Sequence, residues 1–255
     1  MLRTAALAAL VAAVGFGATP AYAQETPPPP DTIVVRTPEN DARRRFNEGN
    51  DLLRQEDYEG ALAKFEEGLA LDSTNGRNAY GRALALVQLD REDEAVEAFQ
   101  QAIRLSEADA DAETATAARR AVGMILYNRA LGLLAANPLP QATAQEALPL
   151  LEQAEAGEVD AGQLPYQLAR VHNVLGNYED ATRYAEQAIE VNEGQDDMSA
   201  YYIELGLARQ GAGDTEGARA AFEQARNGAW SGWAEHYLRE LDGAAEGGTN
   251  GMTDG

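Results

Sequence analysis

The chain of 255 residues contains two histidines, His172 and His236, and no cysteine. Metal or general-base chemistry needs convergent ligands or a positioned partner, and His172 has no second ligand spaced near it. The absence of cysteine removes disulfides, thiol nucleophiles and thiolate metal or iron–sulfur sites. The HEXXH, GXSXG and GXXXXGK(S/T) patterns are all missing. Carboxylate pairs such as Glu66-Glu67 and Asp196-Asp197 carry little information where 42 of 255 residues are acidic, and they read as solvated faces. No catalytic constellation, metal site or cofactor site is expected, so the sequence points to binding rather than catalysis.

Charge and targeting narrow the partners. The formal net charge is −22. Such a chain is repelled by nucleic acid and by anionic lipid surfaces, which leaves a protein or peptide as the expected partner. Arg3 opens the chain, followed by an Ala/Leu/Val run over residues 5–18 and small residues around Ala21 and Ala23. This pattern predicts a cleavable export signal over residues 1–23. The run is too short for a stable bilayer span, and no later segment has 18 consecutive apolar residues. No stable membrane insertion is expected, and the periplasm or the secreted space is the expected location.

The elements that would position a binding surface come next. Four prolines at 27–30 form a stiff, extended spacer within a linker expected over residues 24–40. Asp31-Thr32-Ile33-Val34-Val35 inside it is similar to the TonB box of energised outer-membrane transporters, a short strand that adds to a partner's sheet edge. The same segment also reads, more simply, as a strand-like linker docking on the first helix. From Asp41 to Asp242 apolar residues recur three and four apart, with breaks at Gly, Pro and Asn, which predicts helix throughout. Residues 243–255 lack that periodicity and are expected to be disordered.

The helical part repeats. Gly49, Ala61, Phe65 and Leu71 recur as Ala83, Ala95, Phe99 and Leu105, each 34 residues on. Ala169 with Ala181 and Ala188, and Gly206 with Ala218 and Phe222, keep the internal spacing. A third unit, marked by Ala130, Ala147, Leu151 and Ala154, is stretched by 13 residues at 110–122 and by 5 in the 137–140 connection. Asp109 and Asp111 are the natural start of its long first helix, since carboxylates cap free backbone amides. Expected units are 42–75, 76–109, 123–161, 162–195 and 199–232, with a capping helix over 231–242.

A period of 34 with two helices per unit resembles the tetratricopeptide repeat, and the segment GNDLLRQEDYEGALAKFEEGLALD carries the likeness most fully. Ser73 stands where a unit-closing proline often falls in that family, which changes how the helix ends. The resemblance implies an all-α right-handed superhelix of five hairpins, small residues at the helix crossings, and Phe65, Phe99 and Phe222 filling the gaps between hairpins. It also implies a concave groove, faced by the first helix of each hairpin, that holds a peptide or protein segment. Groove positions in this register include Arg43, Phe46, Asn50, Arg77, Tyr80, Tyr127, Tyr166, Arg170 and Asn173. None of the positions placed on the groove is acidic, so arginine donors beside an aromatic row are expected to suit an acidic or C-terminal-carboxylate peptide. Two other readings stay open: an envelope component recruited through residues 31–35, and a non-catalytic subunit of an envelope enzyme.

Overall fold

The structure is a computed structural model that describes residues 37–136, 138–159 and 161–249. The expected export signal, the TonB-box-like segment, most of the linker and residues 250–255 lie outside the described residues. Eleven α-helices and no strand occur among the described residues.

Helix starts are set by short polar side chains that take up free amides. Thr37, extended at φ −116 and ψ 156, accepts from the Asn40 amide at 3.2 Å, and Pro38 fixes the first turn of α1 (Pro38–Arg54). The first helix therefore begins three residues before the expected Asp41, because Thr37-Pro38 is itself a start signal. Asp57 caps α2 (Tyr58–Leu71) through the Gly60 amide at 3.0 Å, and Asn75 caps α3 (Gly76–Gln88) through the Asn78 amide at 3.0 Å. At the position that lacks the unit-closing proline, the Asp72 carboxylate accepts from the Thr74 amide at 3.0 Å and turns the chain there. Helix α4 (Glu92–Ala108) has no side-chain cap, and its first turn holds Glu92, Asp93 and Glu94 instead.

Helix α5 runs unbroken from Ala112 to Leu133, with Asp111 accepting from the Thr114 amide at 3.2 Å. Then come α6 (Gln141–Ala156), α7 (Leu164–Leu175), α8 (Tyr178–Val191), α9 (Ser199–Gly211) and α10 (Thr215–Ala225). The last helix, α11 (Ser231–Thr249), continues past Asp242, where helix was expected to give way to a disordered tail. Ala244 and Ala245 are strong helix formers by type, which favours continuation of the helix. Four turns inside hairpins share one backbone geometry: φ is positive at Glu56, Asp90, Gly176 and Gly213.

The chain divides into two compact units. The first comprises the described residues up to Asn128 with Gln153–Val159, and the second comprises Arg129–Glu152 with the described residues from Ala161 on. In the first unit α1 packs on α2 and α3 on α4, while α2 and α1 both meet α3. The second unit repeats the scheme: α7 packs on α8, α9 on α10, and α8 and α7 both meet α9. Helix α11 lies against α10 and, more lightly, against α9. Within each unit a helix thus touches its hairpin partner and the next hairpin, as stacked two-helix repeats require.

Small residues make this approach possible. Ala61, Ala83, Ala95, Ala169, Ala181 and Ala218 are all fully buried. A Cβ on Gly49 would fall 2.6 Å from the Phe65 ring, and one on Gly81 would fall 2.3 Å from the same ring. Phe65 is therefore wedged between α1 of its own hairpin and α3 of the next. Gly206 stands in the same relation to Phe222, at 2.3 Å. Phe65, Phe99 and Phe222 are the largest fully buried side chains. Gly206→Leu should overpack the α9–α10 crossing and cost about 1–3 kcal/mol. Urea unfolding followed by helicity checks this, and an unchanged midpoint would show that the crossing is loose.

Candidate functional site

Four positions of α7 recur three and four residues apart and so share one face: Tyr166, Arg170, Asn173 and Val174. Ile203, Glu204, Leu207, Gln210 and Gly211 form the corresponding face of α9. These two faces, Tyr178 of α8, Trp233 and Tyr237 of α11, and Trp230 just before α11 line a cavity of about 630 Å³ in the second unit. Leu134, Ala135, Pro138 and Leu139 close one side.

The entry to α11 is fixed by a small polar knot. Asp197 accepts from the Ser199 amide and hydroxyl at 2.9 and 2.6 Å, and from the Ala229 amide at 2.9 Å. The Trp230 amide donates to the Ser199 hydroxyl at 3.1 Å. These bonds hold the Asp197 carboxyl below its usual range, Ser199 contributing most. The aromatic wall is then built outward from the core: Tyr237 stacks on buried Phe222 at 5.0 Å, and Trp233 lies 6.1 Å from Tyr237 with half its surface exposed.

Polar contacts join the two main walls. The Asn173 side-chain amide donates to the backbone carbonyl of Glu204 at 2.9 Å and to Glu204 Oε2 at 2.8 Å. The Arg170 guanidinium donates to the carbonyls of Leu134 and Ala136 at 3.1 and 2.9 Å. Glu204 is 8% exposed. Burial pushes its carboxyl up from the ordinary 4.5, against the lowering effects of the Asn173 bond and the Arg170 charge. Burial likewise pushes the Tyr166 hydroxyl up to about 12, and the Glu204 charge adds to it. Tyr237 is raised by burial first, then by the charges of Glu204 and Glu240.

The tetratricopeptide repeat model matches residues 46–113 and 166–232, together more than half the chain. The chain belongs to the tetratricopeptide repeat family. Its match in solved structures includes MamA from Desulfovibrio magneticus RS-1, from residue 41 to the end, at 19% identity and TM-score 0.43, over 74% of this chain and 94% of that one. YrrB, a TPR protein with an unusual peptide-binding site, matches at 19% identity and TM-score 0.45, over 78% and 92%. PilW, a widely conserved type IV pilus biogenesis factor, matches at 18% and 0.34, over 73% and 76%. No curated protein sequence matches this chain.

Of the nine groove residues expected from this tetratricopeptide register, the structure brings Tyr166, Arg170 and Asn173 together on the cavity wall. In the first unit the aromatic row is mainly packing. Phe46 rests on Phe65 at 6.0 Å, and Tyr80 rests on Phe99 at 5.5 Å with its hydroxyl buried and unbonded. Tyr127 is buried at 6% exposure, and burial raises the hydroxyl pKa of both tyrosines. Asn50 is half-buried on α1 and Arg43 is exposed there. The expected arginine donors are mostly committed within the chain. Arg77 pairs with Asp111 at 3.0 Å, and Arg170 is held by carbonyls.

The cavity also contains residues that the repeat register does not indicate. Glu204 is an acidic residue in the wall, whereas the inward positions of the register contain none. Its signal is local: it is the only charged residue in 199–208, so no solvated face accounts for it. Trp230, Trp233 and Tyr237 lie around the start of the expected capping helix, which was expected to cover the stack and not to build a site. His172 packs as a core residue, 5.4 Å from the Tyr184 ring and with Asn177 Nδ2 3.3 Å from its Nδ1.

Because folding raises the Glu204 pKa, the native state binds that proton more tightly than the unfolded chain does. Stability from this group is full below pH 4.5 and is lost as pH rises through the folded pKa. Glu204→Gln should therefore gain in Tm relative to the wild type between pH 4 and pH 7, as calorimetry across that range would read. A wild type that gains relative to the variant over the same range would show that Asn173 and Arg170 outweigh burial.

Proposed function

We propose that the protein is an exported, non-catalytic adaptor that holds a segment of a partner protein in the cavity formed by α7, α9 and α11. The cavity itself carries the reading. At about 630 Å³ it accommodates several side chains, and half-exposed Trp233 forms part of its rim. Large aromatic side chains flanked by a few fixed hydrogen-bonding groups are the composition of protein-binding anchors. The tetratricopeptide fold supports the same use, since its first helices present a continuous face to a ligand. Export is supported by the charged start, apolar run and small-residue cleavage pattern of residues 1–23. The surface charge argues against nucleic acid as the partner.

The test immobilises the mature chain, residues 24–255, and challenges it with envelope extract from the source cell. A partner retained by the wild type should fall at least tenfold with Tyr166→Ala combined with Trp233→Ala, while circular dichroism shows unchanged helicity. Undiminished retention by that variant places the partner outside the cavity and overturns the reading.

A further inference from the structure

The cavity has two acceptors that lack donors. Glu204 takes one side-chain hydrogen bond, from Asn173 to Oε2, and no donor among the described residues reaches its Oε1. A carboxylate has room for about four such bonds. Asn173, in the same wall, leaves its buried Oδ1 without a partner. The nearest cation does not complete either group. Arg170 is close enough for its charge to lower the Glu204 pKa, but it forms no ion pair with that carboxylate, and its terminal nitrogens are taken by Leu134 and Ala136. Aromatic rings complete the surroundings, with Trp233 and Tyr237 on one side and Tyr166 on another. The faces of such rings attract cations.

We propose that this cavity is a pocket for a basic side chain, the guanidinium or ammonium group of an arginine or lysine in the partner segment, with Glu204 as its counter-charge and Trp233 and Tyr237 as aromatic walls. The proposal rests on the reading that the cavity holds a partner segment. It reverses the acidic ligand expected from the repeat register. An incoming carboxylate would face Glu204, and it would approach a chain of net charge −22. A basic segment is drawn in by the same field and supplies the donor that Glu204 Oε1 lacks. Both tryptophans of the chain, Trp230 and Trp233, line this cavity, so tryptophan fluorescence reports on it alone.

The test titrates the mature chain with three capped pentapeptides, acetyl-Gly-Leu-Xaa-Leu-Gly-amide, in which Xaa is arginine, its uncharged isostere citrulline, or glutamate. The arginine form should bind at least tenfold more tightly than the citrulline form, and the glutamate form should bind most weakly. Glu204→Gln should abolish the preference, weakening the arginine form at least tenfold and leaving the citrulline form unchanged. If that variant does not fold, Trp233→Ala gives a second measure on a half-exposed position. It should weaken the arginine form at least threefold, now followed by calorimetry, and unchanged affinity overturns the proposal. Equal affinity for arginine and citrulline removes the cation pocket while leaving a segment-binding cavity in place. Fluorescence unmoved by all three peptides removes both.

Discussion

A phenylalanine ring set against a helix position with no side chain is the contact on which the rest of the fold depends. Phe65 occupies the space that a Cβ on Gly49 or Gly81 would need, so one ring belongs to two consecutive hairpins. A hairpin of this kind cannot bury its own apolar face. The alanines at the crossings have little area to contribute, and most of the burial comes from a few rings and branched side chains shared with the neighbour. The close approach also explains why alanine and glycine recur at fixed spacing, since any larger side chain there would push the helices apart and empty the space around the ring.

Polar side chains set how consecutive hairpins register. Asn78, fully buried on α3, donates to the Ala42 carbonyl on α1 at 3.1 Å. Gln163 reaches the Tyr201 hydroxyl at 2.6 Å, and Arg170 reaches the Leu134 and Ala136 carbonyls. Each bond spans about one repeat. A net hydrogen bond contributes about 1 kcal/mol, whereas a buried amide left without a partner costs more than that. Such bonds therefore act chiefly against the wrong register: a hairpin slid by one turn would strand its own asparagine. Asn173 and Glu204 belong to this series, which is why a carboxylate can be buried at that point.

The repeat is legible in the sequence because its markers are positions where geometry leaves little choice. Gly49, Ala61 and Phe65 can be matched 34 residues later without knowing any contact. The first helix starts one turn before the expected Asp41, since Thr before Pro is a start signal that the surrounding linker composition hides. Site residues were harder for a physical reason. Whether Arg77 or Arg170 is available to a ligand depends on Asp111 and on two carbonyls of the preceding hairpin, and no periodicity announces those contacts. Tyr80 and Tyr166 occupy equivalent places, yet one rests on Phe99 and the other forms an edge-to-face pair with Tyr201 and borders a cavity. That difference begins inside the hairpin: Phe99 is on α4, the partner of Tyr80's own helix, whereas Ala185 stands at the corresponding place on α8.

The cavity owes its existence to the element that packs on the last hairpin. Phe65 is received by a glycine of the next unit, but the helix after α10 brings no such glycine to Phe222. Tyr237 of α11 takes that place and stacks on the ring at 5.0 Å. A ring against a ring needs more room than a ring against a glycine, so α11 cannot settle as closely as a repeat helix would. Its entry is held in turn by Asp197 and Ser199, which bind the amides of Ala229 and Trp230. A helix fixed at its start and propped at its middle leaves a gap toward α7 and α9, and the side chains bordering the gap are the ones the cap brought with it. The same substitution of bulk for glycine that ends the stack thus gives its last unit a ligand-sized space walled by tryptophan and tyrosine, with Glu204 at its wall.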